Sequence, residues 1–178
     1  MEITHKQPLF IITGASCVGK STICNELFKK ESAYIVMESD LLWHEIYDTP
    51  EDNYYAYRQL WMRVCGAISQ GGKPVVLCDC NTPEQMESLP QRKWFLNVYY
   101  LAFIADEKVL KERLKKREVY DEKWILSSLH FNRWLKDNAH LTQPKIDVLD
   151  ISDLTLSQCV QYVDQWIMCK IKESGEMI

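Results

Sequence analysis

The octet GASCVGKS at residues 14–21, directly behind the apolar run LFIIT at 9–13, constrains this chain more than any other stretch in it. It fits G-x-x-x-x-G-K-[ST], a pattern that ordinary residue usage would give a chain of this size in about one case in a hundred or fewer. The run before it reads as a buried strand, and residues 20–30 read as a helix with Ile23, Leu27 and Phe28 on one side. The glycines let the backbone turn and aim successive N–H groups at one point, which makes a nest for an anion. The helix that follows adds the positive end of its dipole. Lys20 is then in reach of the β- and γ-phosphates of a nucleotide, and the Ser21 hydroxyl can ligate Mg²⁺. The plainer alternative is a glycine turn that only caps a helix. The nucleotide-binding positions on this reading are Gly14, Ala15, Ser16, Cys17, Val18, Gly19, Lys20, Ser21 and Thr22, with Cys17 and Val18 contributing no side-chain chemistry.

The remainder of the chain alternates short apolar runs with helical patterns. Strands are expected at 34–37, 75–79, 98–104 and 148–151. Tyr54, Tyr57, Trp61, Val64 and Ile68 form a helical stripe that ends at Gly71-Gly72. Thr82-Pro83 opens a helix, Asp106 caps another running to about Arg117, and further helices cover 122–136 and the stretch from Ser157 on, with Leu156, Val160, Val163, Ile167 and Ile171 on one face. The tail ESGEMI is expected to fray. Alternation of this kind implies α/β architecture, a parallel sheet covered on both faces. At 178 residues, with no repeat or linker, the chain reads as a single domain over 1–178.

Composition narrows the partners. The net charge of −4 argues against nucleic acid as the main ligand without excluding a small phosphorylated one in a local basic pocket. No apolar run approaches the roughly 20 residues of a membrane span, and the start MEITHKQP lacks a signal pattern. A cytoplasmic protein with no membrane partner is the expectation. The seven cysteines, odd in number and without a CxxC pair, read as reduced and mostly buried thiols, and the four histidines lack zinc-ligand spacing.

With GASCVGKS, the triplet ESD at 38–40, the strand end VVLCD at 75–79, KERLKKR at 111–117 and IDVLDIS at 146–152, the chain resembles the small P-loop kinases. This is the nucleoside/nucleotide kinase-like superfamily that includes shikimate, gluconate and adenylate kinases and chloramphenicol phosphotransferase. The resemblance spans nearly the whole chain. It implies a P-loop NTPase three-layer sandwich, with a five-stranded parallel sheet in the order 2-3-1-4-5 and helices on both faces. It also implies a helical lid at about 108–122 and an acceptor region at about 41–70. GTP switches fit less well, since NKxD and a DxxG after a strand are both missing.

The resemblance also suggests roles. Asp40 matches the second carboxylate of a D-x-D that faces the acceptor hydroxyl, while Glu38 stands where the first Asp would be. A carboxylate there can accept or orient the hydroxyl proton; capping a helix starting near Leu41 is the alternative, and the two can coexist. Asp79 ends the third strand, where P-loop proteins often carry a carboxylate serving Mg²⁺, usually through water; a strand-end carboxylate that only caps the Thr82-Pro83 turn is the alternative. Ser21, Asp79 and Glu38 are therefore the metal candidates. Arg113 and Arg117 stand where lid arginines close over ATP, and a guanidinium suits the transferring phosphoryl. A solvated basic face pairing with Glu107, Glu112 and Glu118 is the bland alternative. The loop at 150–155 falls where family members touch adenine.

The segment WHEIYDTPEDNYYAYRQLWMR (43–63) is rich in aromatics and acids, and only Arg58 and Arg63 are basic. A dianionic acceptor needs a clamp of several arginines. The balance favours an uncharged acceptor hydroxyl on a nucleoside, sugar or antibiotic-like molecule, with Asp40 and Arg58 as acceptor-binding residues. The expected activity is ATP- and Mg²⁺-dependent phosphoryl transfer, with Lys20, Asp40, Arg117 and Arg113 catalytic. Nucleoside-monophosphate kinase and nucleotide binding without transfer are the alternatives.

Overall fold

A computed structural model describes residues 6–30 and 33–175. Five strands, β1 (Leu9–Gly14), β2 (Ile35–Glu38), β3 (Val75–Cys78), β4 (Val98–Ile104) and β5 (Ile146–Asp150), form one sheet. Every neighbouring pair is parallel, and the order β2-β3-β1-β4-β5 is the expected one. β1 lies between β3 and β4, with Ile11 opposite both Leu77 and Tyr100. A parallel sheet needs crossovers, and here helices supply them: α1 (Lys20–Phe28), α2 (Tyr55–Ser69), α3 (Pro83–Glu87), α4 (Glu107–Lys116) and α5 (Glu122–Asn138); α6 (Leu156–Gly175) follows the last strand.

The alternation of side chains along β1 divides the core into two layers. Phe10 and Ile12 pack with Ile23 and Leu27 of α1, Leu110 and Leu114 of α4, and Val163 and Ile167 of α6. Leu9 and Ile11 pack with Trp61 and Met62 of α2 and Leu135 of α5 on the other face. The result is the three-layer P-loop sandwich of the α/β class.

Several expectations shift. Phe28 does not share the buried face of α1 but is 72% exposed, because Cys24 takes the inward position beside Ile23 and Leu27. Leu156 opens α6 at the surface. Asp106 sits at the N-cap of α4 without capping it, and its carboxylate pairs instead with Lys136 at 3.3 Å. β5 begins two residues earlier than expected, at Ile146. α6 continues through Gly175, so the expected fraying is not found at 173–175; residues 176–178 lie outside the described residues. No α-helix begins near Leu41. Residues Ser39–Leu42, Glu45–Tyr47 and Pro50–Asp52 make short 3-10 turns, and α2 starts only at Tyr55, after Asn53 and Tyr54 both take left-handed backbone. Among the described residues, no helix is long and apolar enough to cross a membrane.

Candidate active site

The turn after β1 is shaped by what cannot fit there. Gly14 has φ +150°, and a Cβ on it would lie 2.7 Å from the Phe103 carbonyl oxygen and 3.0 Å from Val18 Cγ1. Cys17 takes left-handed backbone (φ 62°) and Gly19 has φ +120°. The alternation of right- and left-handed residues turns amides toward one centre. α1 then begins with no side-chain cap and no acid in its first turn, which leaves its first N–H groups for a ligand. A phosphate chain fits this cradle, since the uncapped, acid-free start of α1 offers it N–H groups and the positive end of the helix dipole. Gly14→Ala is expected to lower stability by about 1–3 kcal/mol and to abolish nucleotide binding, read by thermal melting and by titration with Mg·ADP.

Lys20 is buried, and its Nζ donates to the carbonyls of Gly14 at 2.7 Å and Ala15 at 3.0 Å. Burial works against its charge, but the neighbouring Cys80, Cys78 and Asp79 outweigh burial, so its pKa lies above the ordinary lysine value. Above the loop opens a cavity of about 500 Å³ at the C-terminal ends of the strands. Its lining brings together Lys20, Ser21, Glu38, Asp40, Asp79 and Arg117, residues from four separate stretches of sequence.

Asp79 is the deepest of these acids. Its Oδ1 accepts from the Cys80 amide at 2.7 Å and from Ser39 Oγ at 3.3 Å, and its Oδ2 accepts from Asn81 Nδ2. Burial pushes its carboxyl above the ordinary value, against the pull of the Cys80 amide and the Lys20 charge. With most of its lone pairs engaged, Asp79 suits a metal held through water better than direct ligation. Mg²⁺ keeps several waters and takes phosphate oxygens, so one hydroxyl and one or two carboxylates are enough. No group of three metal-ligating side chains occurs among the described residues. Ser21, Asp79 and Glu38 in the cavity lining fit that modest demand.

Asp40 is exposed on the cavity lip inside the first 3-10 turn, and its backbone carbonyl accepts from the Trp43 amide at 3.2 Å. Its side chain therefore caps no helix. The turn is pinned from below, where Tyr57 OH on α2 donates to the Ser39 carbonyl. Arg58 lies in the next layer rather than in the cavity lining. Its Nε donates to Asn81 Oδ1 at 2.6 Å and its Nη2 to Asn53 Oδ1 at 3.1 Å. The chain Arg58–Asn81–Asp79–Ser39 ties α2 to the strand ends. Sequence reading missed Ser39, Tyr57 and Asn81; the only local signals are the middle of ESD and an amide two residues past Asp79. Removing a buried charged donor forfeits roughly 1.5–3 kcal/mol, so Arg58→Ala is expected to lower the melting midpoint by several degrees and loosen the Ser39–Asp40 turn.

The lid segment divides in two. Arg113 on α4 donates to the Val18 carbonyl, so it braces the phosphate loop. Arg117, at the end of α4, is exposed and lines both the main cavity and a second one of about 420 Å³. That second cavity is bounded by Gly19, Thr22, Ile151 and Leu154, where the resemblance locates adenine. The expected pairing of the basic face is found at Glu107, with Lys111 at 2.7 Å and Arg133 at 3.0 Å; no pair with Glu112 or Glu118 occurs among the described residues.

A family model described as "AAA domain" matches residues 9–137. No curated protein sequence matches the chain. Among solved structures, a gluconokinase from Sinorhizobium meliloti superposes with TM-score 0.66 at 16% identity, covering 95% of this chain and 97% of its own. A sugar kinase from Janibacter sp. gives 0.68 at 17% identity over 94% and 98%. The tunicamycin resistance protein of Deinococcus radiodurans gives 0.65 at 16% over 91% and 96%. At these identities the likeness is one of fold, and the fold is that of the small P-loop kinase superfamily.

Proposed function

Because the chain belongs to the AAA domain family over residues 9–137, we propose that it is an ATP- and Mg²⁺-dependent kinase that phosphorylates a hydroxyl of an uncharged small molecule. The observation that carries this reading is the cavity that gathers Lys20, Ser21, Glu38, Asp40, Asp79 and Arg117 above an anion nest. Amides of residues 15–21 hold the phosphates, and Lys20 offsets the β/γ charge. Mg²⁺, held by Ser21 and through water by Asp79 or Glu38, supplies further charge neutralisation when bound. Asp40 orients the acceptor hydroxyl and takes its proton as the new O–P bond forms and the bond to the leaving ADP oxygen breaks. Arg117 steadies the equatorial oxygens, while Arg113 keeps the loop in shape. Residues 108–122 act as the lid and 41–70 as the acceptor region of a single domain. Most of the rate gain comes from positioning and electrostatics.

An uncharged acceptor follows from the cations available. Among the described residues, Lys20 and Arg117 are the only lysine and arginine lining the main cavity, and both serve the phosphates of ATP. Arg58 is spent on Asn81 and Asn53. A monophosphate acceptor would find no second clamp. The gluconokinase and the sugar kinase that share this fold are enzymes of the same reaction type. The test is ADP release from Mg·ATP by purified protein across nucleosides, sugars, aminoglycosides and phenicols. Acceptor-dependent release is expected; ATP binding with no transfer to any of them would favour a nucleotide-binding protein without phosphotransfer.

A further inference from the structure

Two neighbouring residues of α2 reach the strand ends by separate routes that meet on one carboxylate. Tyr57 OH donates to the Ser39 carbonyl, and Ser39 Oγ donates in turn to Asp79 Oδ1 at 3.3 Å. Arg58 Nε donates to Asn81 Oδ1 at 2.6 Å, and Asn81 Nδ2 donates to Asp79 Oδ2. The routes close a ring through α2, with Asp79 on its far side. Tyr57, Arg58, Ser39, Asn81 and Asp79 are all buried.

A carboxylate offers about four acceptor positions. The Cys80 amide, at 2.7 Å, and Ser39 both hold Oδ1 of Asp79, and Asn81 alone among the described residues holds Oδ2. One acceptor position is left, on a residue that lines the main cavity. The Asn81 amide carries both a donor and an acceptor, and its partners decide which end goes where. A guanidinium only donates, so the carbonyl end faces Arg58 and the NH₂ end serves Asp79. Arg58 is anchored in turn, since its Nη2 donates to Asn53 Oδ1 at 3.1 Å, at the left-handed bend before α2. Neither Asn81 nor Arg58 lines the main cavity, so each reaches a ligand there through Asp79.

Resting on the metal role given to Asp79 above, we propose that Asn81, held in place by Arg58, is a positioning residue for the nucleotide's divalent cation: it fixes the plane of the Asp79 carboxylate and so the direction of its one free acceptor position. Without Asn81, Oδ2 has no holder and the carboxylate turns about its Cβ–Cγ bond. The free position then no longer stays where a water of the metal's shell needs it. Outer partners of this kind are worth about 10–100-fold in metal affinity. Arg58 thereby has a task in the nucleotide half of the site, although it stands on the acceptor-region helix.

The experiment uses Mn²⁺ as the probe, titrated into protein held in excess over ADP, with free ion counted by electron paramagnetic resonance. ADP affinity is measured separately in chelator by calorimetry. In Asn81→Ala the Kd for Mn²⁺ is expected to rise about tenfold. In Arg58→Met it is expected to rise about threefold, since Asn81 keeps its bond to Asp79 and loses only its anchor. The double variant should be no worse than Asn81→Ala, because Arg58 acts through Asn81. ADP affinity in chelator should stay within about twofold of the parent in all three, since the amides of the phosphate loop are untouched, and that binding also certifies each variant as folded. An unchanged Kd for Mn²⁺ in Asn81→Ala, an additive loss in the double variant, or a matching loss of ADP affinity in chelator, the mark of a merely structural role, would each overturn the proposal. A parent that binds ADP and no Mn²⁺ would overturn the metal role of Asp79 on which it rests. A parent that binds no ADP would instead overturn the kinase reading.

Discussion

Lys20→Ala is expected to abolish measurable phosphoryl transfer while the protein remains folded. The reason lies in the charge count of the cavity. Among the described residues, Lys20 and Arg117 are its only lysine and arginine, sharing the lining with Glu38, Asp40, Asp79, Glu118 and Asp121. Without Lys20, the phosphates of ATP would enter a site dominated by carboxylates. Loss of one preorganised donor to developing charge costs about 10²–10³ in kcat, and here the donor also carries the charge. The structural cost is smaller. The Gly14 and Ala15 carbonyls lose their ammonium partner, but Cys80 Sγ still donates to Gly14 at 3.3 Å. Two net hydrogen bonds are worth about 1–3 kcal/mol, a shift of several degrees in the melting midpoint for a domain of this size. ADP release and a thermal melt on the same preparation separate the two effects. Near-normal transfer by Lys20→Ala would remove Lys20 from the chemistry.

The second large effect is expected at Asp40. Asp40→Asn keeps the shape of the side chain and removes its ability to take a proton. kcat should fall by about 10²–10⁴, the usual worth of a positioned general base, with ATP affinity within twofold of the parent. Stability should stay within about 0.5 kcal/mol, because the carboxylate is exposed, caps nothing, and leaves the turn to be held by Tyr57 and by the Asp40 carbonyl. That separation matters. Asp79 would be a poorer probe, since its carboxylate also binds Ser39, Cys80 and Asn81, and a loss of activity there could come from a displaced turn. Full turnover in Asp40→Asn would mean that another group activates the acceptor.

The parts of the molecule legible in the sequence are those fixed by short-range rules. GASCVGKS carries its own geometry, because only glycine fits beside the Phe103 carbonyl at position 14 and a left-handed residue is needed three places on. The apolar runs give the strands within one or two residues, because a doubly covered parallel sheet buries them on both faces. Illegible parts depend on pairs far apart in the chain. Nothing local says that Arg58 would turn away from the acceptor to hold Asn81, 23 residues on. Nothing local says that Asp106 would leave its helix for Lys136, 30 residues on. The residues at 39–54 show neither helical nor strand periodicity, which is how a run of 3-10 turns reads.

The central claim is that the amides of residues 15–21 form the seat of a nucleotide's phosphate chain. A crystal structure of the protein grown with Mg·ADP tests it most directly. The β-phosphate should sit within hydrogen-bond distance of those amides and of Lys20 Nζ, with Ser21 Oγ at the metal and the adenine against Ile151 and Leu154. A nucleotide bound elsewhere, with Lys20 still on the Gly14 and Ala15 carbonyls and the amides touching nothing, would contradict the account.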